Sequence, residues 1–155
     1  MGKPGIKIET AEYHKHDLFI CDIARQSKYT RDFNSHRFFR DSIRETYKKG
    51  EVGVALELGR IVGFVYVKHL RLKSRPYSVI HYMGVHSAWR GRGIGAKLLA
   101  WALASSPHKR IQLSCEHSNE EGMKFYASCG YRKVGEGVYG QKTPRPYTRW
   151  EKTLP

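Results

Sequence analysis

Apolar and polar positions along the chain repeat with two rhythms, and the switches between them divide it into elements. Residues 6–9 (Ile6-Lys7-Ile8-Glu9) alternate and predict a short first strand. Asp17 reads as the cap of a helix carrying Leu18, Phe19, Ile20, Ile23 and Ala24, followed by a polar, basic loop over 26–32. Asn34 or Ser35 starts a second helix with Phe38, Phe39, Ile43 and Tyr47, stopped near Gly50. Alternation returns over 52–58, Gly59-Arg60 signals a tight hairpin, and 61–67 is a nearly continuous apolar strand. After a basic loop over 70–76, Val79 opens the next strand.

That strand leads into the stretch around which the chain is organised. His81-Tyr82-Met83-Gly84-Val85 is strand-like. Further on, Ile94, Leu98, Leu99, Ala102 and Leu103 recur on one face of a helix that Pro107 ends. Residues 111–116 form another strand, fed by that helix and expected parallel to the strand before it. Ser118-x-x-Glu121 has the spacing of a capping box for a helix bearing Phe125 and Tyr126, with Gly130 where it stops. Val134, Val138 and Tyr139, then residues 147–150, give two antiparallel strands. The resulting order, β-α-α-β-β-β-α-β-α-β-β, predicts an α/β protein with a mixed central sheet of about seven strands, residues 1–155 forming a single domain.

Between strand and helix lies Arg90-Gly91-Arg92-Gly93-Ile94-Gly95. A glycine-rich turn entering a helix leaves backbone N–H groups unpaired at the positive end of the helix dipole, and the missing Cβ atoms let an anion approach closely. Arg90 and Arg92 add forked donors suited to phosphate oxygens. The Walker pattern is excluded, since Gly95-Ala96-Lys97-Leu98 stands where Gly-Lys-Ser/Thr is needed. The dinucleotide fingerprint fails too: the glycines are Gly91, Gly93 and Gly95, which is not the G-x-G-x-x-G spacing.

Bulk properties narrow the partners. The formal charge is +14, and ten Lys or Arg fall between Leu58 and Cys115 without one carboxylate. A phosphorylated cofactor needs only a few of these; the basic segment 60–110 is otherwise a solvated face or a guide for an acidic substrate or nucleic acid. No apolar run reaches the length of a membrane span and the charged start is no signal peptide, so no membrane association is expected. Cys21, Cys115 and Cys129 read as free thiols of a reducing, cytoplasmic setting, without metal-ligand spacing. His14 and His16 read as an exposed loop pair rather than a zinc site, and no metal is expected.

Arg90-x-x-Gly93-x-Gly95 after an apolar strand end resembles the acyl-CoA-binding signature of the GCN5-related N-acetyltransferases, the GNAT superfamily. Asn119 followed by Phe125-Tyr126 and Gly130-Tyr131 is similar to the second half of that signature, and the resemblance covers nearly all 155 residues. It implies a sheet splayed around an acyl-CoA site and direct transfer of an acetyl group from acetyl-CoA to a primary amine. It also implies roles: backbone groups of Met83 and Val85 for carbonyl and pantetheine, and the turn Arg90, Gly91, Arg92, Gly93, Ile94, Gly95 and Ala96 for the pyrophosphate. Asn119 is then near the pantetheine, and Tyr126 is the proton donor to the leaving thiolate, a task suited to a phenol that stays protonated at neutral pH.

The base stays open. This strand has no carboxylate, His81 shares the Val79/Met83/Val85 face by alternation, and arylalkylamine-type relatives place a histidine at a similar point. Glu57, Glu116 and ordered water are the alternatives. The acceptor is an amine of a small molecule or protein; the alternative is an amino group on nucleic acid, a DNA base or tRNA, and the further alternative a non-catalytic CoA-binding module. Residues 26–32 and 141–146 are expected to select it. A homodimer is left open.

Overall fold

The computed structural model describes residues 5–31 and 40–155. Among these, β1 (Lys7–Thr10) is followed by α1 (Tyr13–Ala24), α2 (Arg40–Lys48), β2 (Val52–Glu57), β3 (Arg60–His69) and β4 (Ser78–Val85). Then come α3 (Ile94–Ser105), β5 (Arg110–Glu116), α4 (Glu120–Ser128), β6 (Arg132–Tyr139) and β7 (Arg145–Thr153). The described strands form one seven-stranded sheet in the order β1-β2-β3-β4-β5-β7-β6, antiparallel except where β4 meets β5. The element order and the mixed sheet are those expected; the start of the second helix at Asn34 or Ser35 lies outside the described residues.

Each face of the sheet has its own core. On one side α3 lays Ile94, Leu98, Leu99, Ala102 and Leu103 against Val62, Val65, Val67 and Ile80. These are the helix positions that recur at three- and four-residue spacing, so periodicity alone had assigned the buried stripe. On the other side Ile20, Ile23 and Ala24 of α1 and Tyr47 of α2 pack on Val52, Val54 and Phe64. β7 is held between β5 and β6 by the buried Glu151, which pairs with Arg110 and Arg132. Burial pulls the pKa of that carboxylate upward, but donors from Arg110, Gln112 and Arg132 outweigh it and hold it below its ordinary range.

Four local expectations are corrected. Asp17 is no cap: α1 begins at Tyr13 after Glu12, whose own N–H donates to Nδ1 of the buried His16 at 2.9 Å, and no side chain caps the first helical N–H groups. Asp17 lies inside the helix, buried, and accepts from the Tyr47 hydroxyl at 2.8 Å. His14 and His16 are thus helical, one exposed and one buried, rather than a loop pair. Asn119, not Ser118, caps α4, accepting from Gly122 N at 3.0 Å, while Ser118 bonds the Tyr29 hydroxyl. The β2–β3 hairpin turns on Leu58 and Gly59, with φ of 49° and 77°, and Arg60 is already its first strand pair.

Candidate active site

β4 and β5 run parallel but pair only from Ser78 to Ile80 against Ile111 to Leu113, and then part. β4 stays on β3 as far as Val85. Its other backbone edge therefore opens into a gap. His86 N donates to Val62 O at 2.9 Å, so the alternate residues Gly84 and Tyr82 turn their backbone groups to β3. Met83 and Val85 turn theirs into the gap, where the Val85 carbonyl accepts from Arg90 Nε at 3.3 Å.

A bulge re-aims the strand beside this gap. Tyr66 pairs with Tyr82 and Val67 with Ile80, leaving His81 as the extra residue of β4. Across it the side-chain phase reverses: Ile80, Met83 and Val85 all belong to the α3 side, Tyr82 to the α1 side. His81 sits with Tyr66 at 5.2 Å between ring centroids, near Lys68. It is therefore on the face opposite Met83 and Val85, which corrects the simple alternation. It lines the cleft, reachable by solvent yet surrounded by protein, and that desolvation, with Lys68, lowers its pKa below the ordinary 6.5.

The far end of the gap is the start of α3. Gly91 and Gly93 have φ of 77° and 79°, which L side chains rarely adopt, and Gly93 caps the helix without any side-chain bond. The first-turn N–H groups are thus open, and no acidic side chain stands in that turn. Gly95 is required by contact: a Cβ there would stand 2.9 Å from the Phe125 ring, so α3 and α4 touch backbone to ring. The two arginines differ. Arg90 lines the cleft, whereas the Arg92 guanidinium lies 4.5 Å over the Trp89 ring and, like the exposed Ala96, is not among the cleft side chains.

Together these elements enclose a cleft of about 990 Å³, walled by β4, the α3 turn, the end of β5, α4 and residues 26–30. Asn119 and Tyr126 line it from α4. The Tyr126 hydroxyl makes no hydrogen bond to a described residue; burial, then Cys115, Tyr131 and Cys129, raise its pKa. It stays protonated across the neutral range and can donate. Glu116 lines the cleft and is paired with Arg145 at 3.7 Å; Glu57, at the β2–β3 hairpin, does not line it. Burial first, and Glu116 next, push the Cys115 thiol up to about 11, which keeps it from acting as a nucleophile near neutrality. Sequence reasoning missed Tyr139, whose ring stacks on Tyr147 at 4.2 Å at the mouth; its place just before the glycine and proline loop was the only signal. The basic hairpin over 70–76 precedes β4, whereas the glycine-rich turn follows it, and no residue of 70–76 lines the cleft.

Among the described residues no group of three or more His, Cys, Asp or Glu could hold a metal ion, and no helix is long and apolar enough to cross a membrane.

A model of the Acetyltransferase (GNAT) family matches residues 15–131. The chain belongs to this family. The 5-NmdU N-acetyltransferase of Pseudomonas phage PaMx11 is 35% identical over 130 residues, 84% of this chain and 88% of the relative. A GNAT-family acetyltransferase of Bacillus cereus superposes with a TM-score of 0.75 at 22% identity, covering 97% of this chain and 99% of that one. The acetyltransferase yncA of Salmonella typhimurium, solved with its cofactor acetyl-CoA, gives 0.74 at 17% identity over 97% and 95%. The likeness to the two solved structures is one of fold. This GNAT chain is accordingly an N-acetyltransferase with the family's single mixed sheet, as its two motifs implied.

Proposed function

We propose that residues 1–155 act as one catalytic unit that acetylates an amine on a nucleobase with acetyl-CoA as donor. The observation that carries the donor site is the gap between β4 and β5. It has unpaired strand backbone along one wall and uncapped helix amides at its end. Both are polar groups that an extended ligand with amide and phosphate portions can satisfy, the amides along the strand and the phosphates at the helix start. Backbone groups of Met83 and Val85 hold the acyl and pantetheine portion, the N–H groups of Arg92 to Ala96 hold the pyrophosphate, and Arg90 faces it from the turn. Asn119 positions the pantetheine side from the start of α4.

Acetyl-CoA supplies an activated acetyl thioester. The chain's own residues manage protons. The Tyr126 hydroxyl, kept protonated by its surroundings, donates at the sulfur side. His81, on the α1 side of the bulge, accepts the amine proton directly or through water; its lowered pKa keeps the imidazole neutral, and so ready, at physiological pH. Glu116 is the alternative acceptor, already engaged by Arg145.

The acceptor class rests on the likeness to the phage enzyme, which spans most of both chains, and on the +14 charge. Three unbridged cysteines agree with a reducing cytoplasm. Thiol release from acetyl-CoA is the test, with 5-NmdU as nucleoside and within a single-stranded oligonucleotide, simple primary amines, peptides and tRNA offered in turn. Release above background with 5-NmdU supports the proposal. Release with peptides or simple amines alone overturns the acceptor, and release with none overturns the activity.

A further inference from the structure

The cleft does not end at Glu116. A second groove of about 560 Å³ continues from it, sharing Tyr29, Glu116 and Arg145 as common walls. Lys28 and Arg31 line this groove from the segment after α1, and Arg145 faces them between Pro144 and Pro146. Its one carboxylate among the described residues, Glu116, is already bridged by Arg145, which remains 57% exposed. Lys28 and Arg31 have no acidic partner among the described residues; Lys28 instead rests 5.1 Å over the Tyr29 ring. The Tyr29 hydroxyl is tied to Ser118 at 2.8 Å, which fixes this wall to the start of α4.

An aromatic face stands where groove meets cleft. Tyr139 is 39% exposed, backed by Tyr147 at 4.2 Å and 25° between ring planes, with the Arg145 guanidinium 5.6 Å from its ring. A cationic groove that can follow a phosphate backbone, combined with a braced aromatic ring on which a base can stack, is the pairing single-strand binders use. A free nucleoside would leave Lys28 and Arg31 without an anionic partner among the described residues.

From this we infer that the acceptor nucleotide is presented within a nucleic-acid strand, unpaired or swung out of a duplex. Flanking phosphates lie on Lys28, Arg31 and Arg145, and a base stacks on Tyr139. The inference rests on the nucleobase reading above and narrows it to a polymer. The hairpin over 70–76, with Arg71, Lys73 and Arg75, is too far to share the task. β4 spans about 23 Å from its first residue to its last at ~3.3 Å per residue, and the hairpin precedes that first residue.

Two measurements test it. The first compares kcat/KM on the 5-NmdU nucleoside with that on a short single-stranded oligonucleotide carrying it, at 50 and 200 mM salt. The second follows fluorescence anisotropy of an unmodified labelled oligonucleotide, which needs no acetyl transfer. Three phosphate contacts give a salt slope of about −2, so affinity should fall roughly fifteenfold across that range. Lys28→Glu with Arg31→Glu should flatten the slope and lower the ratio of oligonucleotide to nucleoside rates. Tyr139→Leu, which still covers Tyr147, should weaken binding about 5- to 150-fold. Equal rates on nucleoside and oligonucleotide, or binding indifferent to these changes, would overturn the strand groove. So would losses that follow reversal of Arg71, Lys73 and Arg75 instead, or an equal preference for acidic peptides. If neither substrate is acetylated but groove-dependent binding persists, the nucleobase reading fails and the groove stands.

Discussion

One methyl group added at Gly95 would probe the joint on which the donor site depends. A Cβ there would lie 2.9 Å from the tip of the Phe125 ring and 3.4 and 3.5 Å from the two neighbouring ring carbons. Carbon atoms sit best about 3.5–4.0 Å apart, so the ring must withdraw by several tenths of an ångström. Phe125 is not free to do so, being packed on the α3 core and tilted against Tyr126 at 5.4 Å. Overfilling such a contact costs about 1–3 kcal/mol. Alanine offsets up to ~1 kcal/mol of this through better helix propensity. A net loss of about 0.5–2 kcal/mol corresponds to a Tm lower by roughly 1–8 °C for a protein of this size. The same push shifts the first turn of α3, so stabilisation by acetyl-CoA in the melt should shrink as well. Phe125→Leu removes the obstructing ring. The double variant should exceed the sum of the singles by about 1 kcal/mol in denaturant unfolding, within the range for touching residues. A Gly95→Ala protein that melts like wild type with undiminished ligand protection, or a strictly additive double variant, would refute the α3–α4 contact as the element that sets the cradle.

Two further outcomes follow from the proton inventory. Tyr126→Phe keeps the ring contacts with Phe125 and Tyr131 but loses the donor, so kcat should drop on the order of 10²–10⁴-fold while acetyl-CoA protection in a melt is retained. An unchanged kcat with chemistry rate-limiting removes it from the mechanism. An imidazole must be neutral to accept a proton, and the lowered pKa of His81 keeps it neutral to below 6.5. The acidic limb of kcat/KM, corrected for the amine's own ionisation, should therefore fall below that value and flatten in His81→Gln; a variant profile matching wild type moves the role to Glu116 or water.

Much of the turn between β4 and α3 was legible because its determinants are local. Glycines alternating with arginines at a strand–helix junction specify the turn, and the α3 stripe follows from spacing alone. What resisted reading depends on partners distant in sequence or on unusual local bonds. The face of His81 is decided by an extra residue opposite Tyr66 and Val67, which no alternation rule within β4 can reveal. Asp17 looked like a cap because capping oxygens are common, but the helix starts a turn earlier, at Tyr13, without a side-chain cap, and Asp17 is held inside it by the Tyr47 hydroxyl. Arg92 was taken with Arg90 as a phosphate fork, yet its guanidinium rests on Trp89, three residues earlier. Residues 28–31 and 144–146 of the two segments expected to select the acceptor do line the cleft and its groove, but the place of Tyr139 beside them was not legible, since only the fold brings it together with those segments.

Direct transfer in the β4–β5 gap is tested most plainly by product analysis. Enzyme, acetyl-CoA labelled in its acetyl group and a short single-stranded oligonucleotide carrying 5-NmdU are mixed, and free thiol, labelled oligonucleotide and intact protein are quantified together. One acetylated amine for each thiol released, with the protein unlabelled, is the expected result. Label retained on Cys115 or Cys129, or thiol released without an acetylated amine, would contradict it.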